Sequence, residues 1–156
     1  MMKTFQRFFS KNPELTRIVY VSRSTIPGSP EEVAEEVQRI VTRAQEHNLA
    51  NEITGLLLFS GKYFAQVLEG PGPNIQTLFN NIERDTRHTE TQMLINHTVN
   101  NRAFSNWDMA LTMINQEEMA DIITLFPANN RAAGKDNLIV SLMQTHLEYY
   151  GNMDNT

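Results

Sequence analysis

The alternation of apolar and polar positions divides the chain into short elements. Arg17-Ile18-Val19-Tyr20-Val21-Ser22 is β-branched and aromatic, as a strand requires, and it leads into the turn-rich run Ile26-Pro27-Gly28-Ser29-Pro30. Ser29 offers an N-cap oxygen, Pro30 suits the first helical position, and Glu31 and Glu32 complement the positive end of a helix dipole. Val33, Val37, Ile40, Val41 and Ala44 then recur at helical spacing, which predicts a helix from about Pro30 to Glu46. Ile53 to Phe59 is a buried strand. Ser60-Gly61-Lys62 has the length and glycine of a hairpin connection, and Tyr63 to Glu69 is the returning strand. Gly70-Pro71-Gly72-Pro73 breaks that strand. Ile75, Leu78, Phe79 and Ile82 mark a second amphipathic helix, Met93 to Val99 a fourth strand, and Met109 to Met113 a fifth.

The order βαββαβ plus one strand predicts an α+β fold of ferredoxin-like type, with a five-stranded mixed sheet and two helices on one face. Two further helical stretches follow Gln116. Met119, Ile122, Ile123 and Phe126 form one apolar stripe, Leu138, Leu142, Leu147 and Tyr150 contribute to another, and Pro127 and Gly134 lie in the link. No internal repeat, low-complexity tract or second core is evident. The expected organisation is an extension over residues 1–15, one domain over 16–113, a two-helix appendage over 114–150 and a tail over 151–156.

Composition narrows the function classes. A chain of 156 residues with 40% hydrophobic and 20% charged positions suits one globular core. With a net charge of -5 and no long basic run, phosphate-neutralising nucleic-acid binding is not expected. Cysteine is absent, which excludes disulfides, thiolate metal sites and a cysteine nucleophile, and suits a reducing cytoplasm. No apolar stretch approaches the roughly 18 residues of a membrane span, so no membrane association is expected. Met1 to Asn12 scatters Lys3, Arg7 and Lys11 among Phe5, Phe8 and Phe9, unlike a secretory signal; it reads as an extension or a weakly amphipathic contact helix.

Candidate chemistry lies where polar groups fall at apolar positions. Strand alternation puts Gln66 on the face of Phe64 and Leu68, and Tyr20 on the face of Ile18 and Ser22. A buried amide without partners costs on the order of 1–3 kcal/mol, so Gln66 is either satisfied by neighbours or water, or turned to solvent. In a βαββαβ sheet the first and third strands are central neighbours, so Tyr20 and Gln66 can stand side by side and serve a planar heterocycle. His47-Asn48 ends the first helix, where asparagine is either a helix terminator or a donor and acceptor for a ligand edge. Arg84-Asp85-Thr86-Arg87-His88 closes the second helix, either as a solvated cluster or with Arg87 paired to a ligand phosphate. His47, His88, His97 and His146 show no metal-ligand spacing, and no glycine-rich nucleotide cradle or nucleophile elbow occurs.

Five motifs in order resemble the BLUF family, blue-light sensors that use FAD. They are Ile18-Val19-Tyr20-Val21-Ser22; His47-Asn48 with Ile53-Thr54-Gly55-Leu56-Leu57; Phe64-Ala65-Gln66-Val67-Leu68-Glu69-Gly70; Asp85-Thr86-Arg87-His88; and Phe104-Ser105-Asn106-Trp107-Asp108-Met109. The resemblance covers about residues 16–111. It implies non-covalently bound FAD with its ring between the two helices. Tyr20 is the implied electron donor, Gln66 the hydrogen-bond switch, Asn48 the partner of the ring edge, and Trp107 and Met109 mobile residues beside the fifth strand. His47, Asp85, Arg87 and His88 would line or flank the pocket.

The implied output is a light-driven rearrangement of hydrogen bonds with no substrate consumed, passed on through self-association and an unidentified protein partner. The chain ends too soon after the fifth strand to carry a cyclase or phosphodiesterase, so no enzyme activity is expected. Two rivals share the element order: a small hydrolase of acylphosphatase type, and a ligand-binding regulatory module without photochemistry. The loop after the first strand lacks the arginine-bearing phosphate cradle of the former.

Overall fold

The computed structural model describes residues 14–124 and 136–154. Phe126, Pro127, Gly134 and the stretch Met1 to Asn12 lie outside the described residues, as does the side chain of Tyr150. The elements are β1 (Leu15–Ser24), α1 (Pro30–Ala50), β2 (Thr54–Phe59), β3 (Tyr63–Pro71), α2 (Gly72–Arg84), β4 (His88–Val99), β5 (Ala110–Met113), α3 (Gln116–Thr124) and α4 (Asp136–Asp154). The sheet order is β4-β1-β3-β2-β5, with β2 and β5 parallel and the other neighbours antiparallel. This is the expected five-stranded, mixed, ferredoxin-like arrangement.

Local chemistry explains the boundaries. Ser29 caps α1 by accepting from Glu32 N–H at 3.1 Å, and the Glu32 carboxylate accepts from Ser29 N–H at 2.9 Å, a reciprocal capping box. In the β2–β3 hairpin the Ser60 hydroxyl accepts from Tyr63 N–H, and Gly61 takes the positive φ of 93° that the turn needs. Gly55 is required for a different reason. A Cβ there would lie 2.1 Å from the Val67 carbonyl oxygen, so β2 and β3 approach too closely for any side chain.

Three expectations are corrected. α1 runs on through Ala50 and is closed by Asn51, whose N–H bonds to the carbonyls of His47 and Asn48. Asn48 is therefore a buried helical residue, not the terminator. Only Arg84 of the cluster Arg84 to His88 is helical; Asp85 is the C-cap of α2 and His88 already opens β4. The third correction concerns the core, which is double. Tyr20, Val37, Val41, Leu57, Phe64, Leu68, Ile75, Phe79 and Met109 pack between the sheet and α1 and α2. On the other face Val19, Leu58, Val67, Phe104, Met119, Ile122, Ile139 and Met143 pack beneath α3 and α4. In α4 the inward stripe is Ile139, Val140 and Met143 with Leu142 and Leu147 beside it, whereas Leu138 is exposed. The sheet is thus covered on both faces, which is why β2 is buried along its whole length.

Gly55→Ala should lower stability by about 3 kcal/mol, the upper end of typical overpacking losses. Urea unfolding midpoints of the two proteins measure this, and an unchanged midpoint would contradict the close approach.

Candidate functional site

The register between β1 and β3 places Tyr20 directly opposite Gln66, both facing α1 and α2. The Tyr20 hydroxyl donates to Gln66 Oε1 at 2.5 Å. Gln66 Nε2 donates to Met109 Sδ at 3.4 Å, so the amide bridges a phenol and a thioether. All three side chains are buried, with Tyr20 4%, Gln66 7% and Met109 2% exposed. Trp107 is 42% exposed, which makes Met109 the neighbour of Gln66 in this state. Two register shifts in the β1–β4 pairing, between Val19 and Tyr20 and between Val21 and Arg23, bracket Tyr20. Such irregularities twist a strand and re-aim its side chains.

A slot of about 100 Å³ opens over this pair. Ile40 and Ala44 of α1 and Leu78 and Ile82 of α2 wall it; Tyr20, Leu57, Phe64, Gln66 and Leu68 floor it. Asn48, Asp85, Arg87 and His88 complete the lining. Asn48 Nδ2 donates to the Asp108 carbonyl at 2.8 Å, and its Oδ1 lies 3.4 Å from His47 Nδ1. His47 itself is exposed and lies outside the slot lining. His88 is held at both ring nitrogens, Nε2 by the Ile82 carbonyl at 2.6 Å and Nδ1 by Ser22 Oγ at 2.7 Å. Because the carbonyl only accepts, Nε2 carries a proton; a neutral ring then accepts the Ser22 hydroxyl proton at Nδ1.

At the mouth Arg87 makes a forked contact with Asp85, 2.6 Å from Nη2 to Oδ2, and reaches Glu36 at 2.9 Å. Arg87 holds the Asp85 and Glu36 carboxylates below their ordinary range, chiefly through these hydrogen bonds. The Asp85 carboxylate in turn pushes the Arg87 guanidinium up. Burial is the larger cause that raises Tyr20, with the nearby Asp85 charge adding to it.

The slot therefore unites Tyr20, Asn48, Gln66, Asp85, Arg87, His88 and, through Gln66, Met109. His47 and Trp107 are not brought into it. Pattern reading missed Gln45, whose Nε2 donates to the Met109 carbonyl at 3.0 Å. It also missed the ion pair of Arg17 and Glu69 at 2.7 Å on the opposite face of the sheet. Alternation held the signal for Glu69, which shares the parity of Ala65 and Val67, but nothing comparable marks Gln45. A larger cleft of about 680 Å³ lies at the far end of the central strands, around Glu14, Glu52, Thr54, Asn100 and Arg102. Arg102 there is bonded to Thr54 Oγ1 and the Glu52 and Glu69 carbonyls, and the cleft mixes apolar Leu15, Leu49, Ile53 and Val99 with the carboxylates of Glu14, Glu52 and Asp108. The slot, although smaller, sets apolar side chains of two helices over the polar groups of Tyr20, Asn48 and Gln66.

The profile of the family described as "Sensors of blue-light using FAD" matches residues 15–110. The chain belongs to the BLUF family. It is 30% identical over 109 residues to the blue light- and temperature-regulated antirepressor BluF of Escherichia coli strain K12, covering 70% of this chain and 26% of that protein. This BLUF chain thus spans about a quarter of that relative's length. The dark-state structure of the BLUF protein BlrB aligns with TM-score 0.65 at 27% identity, over 85% of this chain and 97% of that one. Klebsiella pneumoniae BlrP1 with FMN and cyclic diGMP aligns with TM-score 0.61 at 28% identity, over 86% of this chain and 36% of that one. By this description the family's members are sensors of blue light that use a flavin. Among the described residues no cluster suited to a metal ion occurs, and no helix is long and apolar enough to cross a membrane.

The raised Tyr20 fixes the sign of an alkaline effect. Above the ordinary tyrosine value of 10.0 an unfolded chain loses this proton while the folded one keeps it, so stability falls as pH rises. Between pH 10 and 12 the loss from this group should approach about 1.4 kcal/mol per pH unit. Urea unfolding of the native chain and of Tyr20→Phe across that range should show a steeper fall in the native chain; parallel curves would refute the assignment.

Proposed function

We propose that this chain is a BLUF photoreceptor that binds FAD in the slot and stores the absorbed photon as a rearranged hydrogen bond at Gln66. The observation that carries this is the buried chain Tyr20–Gln66–Met109 under two apolar helices. The residues suit a flavin. Apolar walls from α1 and α2 would sandwich a flat ring, and the polar atoms keep spare capacity at its edge. Gln66 and Asn48 each retain an N–H and an acceptor lone pair beyond the bonds described. At about 100 Å³ the slot is below the roughly 300–1,000 Å³ usual for small-molecule sites, so binding would part Ile40 and Ala44 from Leu78 and Ile82. His47, outside the slot, would act only through its contact with Asn48. Arg87 and His88 would face the ribityl-phosphate side, where an incoming phosphate would compete with Asp85 and Glu36 for Arg87.

A bound flavin excited by blue light would supply a strong one-electron oxidant. Tyr20 would give that flavin an electron transiently and, because burial disfavours a charged phenolic site, its hydroxyl proton would move with it. Gln66 Oε1 is the acceptor already in contact with that proton. Gln66 would then exchange partners by rotation or tautomerisation, turning a new donor toward the flavin edge and changing its contact with Met109, while the electron and proton return to Tyr20 and leave the cofactor chemically unchanged. The net energy of such an exchange is on the order of 1 kcal/mol, enough to bias a balanced element and far too little to unfold the domain. Output would pass through protein contacts, with α4 the exit and a second copy and a further protein as partners; no substrate is turned over. The absence of cysteine suits a cytoplasmic setting.

The protein should purify yellow, release FAD and not FMN on denaturation, and show a reversible red shift of the flavin band under blue light. Tyr20→Phe should bind flavin yet lose that shift. A normal shifted photoproduct in Tyr20→Phe would sink the mechanism, and a colourless protein that refuses added FAD would sink the whole reading.

A further inference from the structure

Glu69 is fully buried on the face of the sheet away from the slot. Its partner across the strands is Arg17, directly opposite in the β1–β3 register and 2.7 Å from Nε to Oε2. An ion pair of this kind would be satisfied locally, but the carboxylate does more. It also accepts from the backbone N–H of Ala103 at 2.9 Å and of Phe104 at 2.8 Å. Arg102 fastens the same segment to Thr54 Oγ1 and to the Glu69 carbonyl, each at 2.9 Å. The segment Arg102–Met109 thus begins clamped to the end of β3, three residues beyond Gln66.

From there it passes around the sheet. Phe104 belongs to the core under α3 and α4, whereas Met109 belongs to the core under α1 and α2. Its far end is held by Gln66 Nε2 on the Met109 sulfur, by Gln45 on the Met109 carbonyl and by Asn48 on the Asp108 carbonyl. Its near end is gripped a second time: Gln144 Nε2 of α4 donates to the Ala103 carbonyl at 3.0 Å. One peptide unit therefore connects Glu69 of β3 to α4. A buried carboxylate accepting two N–H groups is strong and directional, so Ala103 has little freedom except as the whole segment moves.

We propose that Glu69 is a positioning residue that makes segment Arg102–Met109 a lever between the two faces of the sheet, carrying a change at Gln66 and Met109 to α4 through Ala103 and Gln144. It rests on the Tyr20–Gln66 switch proposed above and names the residues by which that switch leaves the slot. Gln66 and Glu69 share one strand, so β3 is the fixed frame. When Gln66 changes its contact with Met109, the far end shifts, and the pivot at Glu69 passes the motion to the Gln144 contact. Coupling through a contiguous network needs direct evidence, which two substitutions away from the slot provide.

The test uses the full flavin-loaded chain, comparing amide hydrogen exchange in the dark and under blue light, with the flavin red shift recorded in the same samples. In the unaltered chain the shift should be accompanied by a light-dependent change in exchange over 136–147. Gln144→Ala should keep the full red shift, while the light–dark ratio in α4 falls roughly two- to tenfold, the worth of one neutral hydrogen bond. Glu69→Gln should also keep the shift, speed exchange at Ala103 and Phe104 in the dark, and lower the α4 response likewise. Should Glu69→Gln fail to fold, Gln144→Ala decides alone. A red shift with no α4 response in the unaltered chain, or an undiminished response in Gln144→Ala, overturns the lever and leaves the switch standing. A missing red shift in the unaltered chain overturns the switch, and the lever falls with it.

Discussion

The antiparallel register between β1 and β3 is the constraint on which the rest of this structure depends. It sets Tyr20 against Gln66 on one face and Arg17 against Glu69 on the other. Because side chains alternate along a strand, a slip of one residue would turn one strand over against the other, setting the phenol and the amide on opposite faces of the sheet and parting the charged pair in the same way. Neither core would tolerate that. Val19, Val21, Ala65 and Val67 hold one face apolar, while Ile18, Phe64 and Leu68 hold the other. The cores on both faces therefore fix the register, and the register fixes the polar pairs.

Those pairs in turn restrict what the cores can be. Among the described residues no buried side-chain polar atom lacks a partner. Gln66, Asn48 and Glu69 each spend their bonds on a different connection: Gln66 on Tyr20 and Met109, Asn48 on the Asp108 carbonyl, Glu69 on Arg17 and the Ala103 and Phe104 amides. The segment between Arg102 and Met109, which has no regular secondary structure, is located by side chains of other elements and by one backbone bond from β2, Gly55 N–H to the Trp107 carbonyl at 2.9 Å. Irregular backbone near a core needs such partners, since its own N–H and C=O groups have no ladder to join.

Much of the fold was legible in the sequence because its signals are local. The Ser29 N-cap with Pro30 after it, the Gly61 turn and the period-two strands each carry their own physics, and the element order then limits the topology. What was not legible is tertiary. The helix signal of α1 fades after Ala44, since Gln45, Glu46 and His47 look solvent-facing, yet the helix continues and places Gln45 and Asn48 over the Asp108–Met109 backbone. The second core was missed because the stripes of α3 and α4 show that they bury a face without showing which. Tyr20 and Gln66 could be set on adjacent strands from pattern alone. That Met109 rather than Trp107 completes their row depends on the path of an irregular segment, to which periodicity says nothing.

Placing Met109 inside and Trp107 outside has an energetic meaning for the proposed switch. A thioether is a weak acceptor, so the Gln66–Met109 contact is worth less than the hydrogen bond Gln66 accepts from Tyr20. The strong bond fixes the amide, and the weak one is the bond it can surrender at low cost. An amide anchored by strong partners on both sides would resist rearrangement, and one with none would be disordered. Methionine is also flexible and fills irregular space, so the slot end of the segment can repack without opening a large cavity. Trp107 is 42% exposed, so its indole is already part-solvated. The pair of positions therefore suits an element poised between two arrangements of similar energy, which is what a signal of about 1 kcal/mol requires.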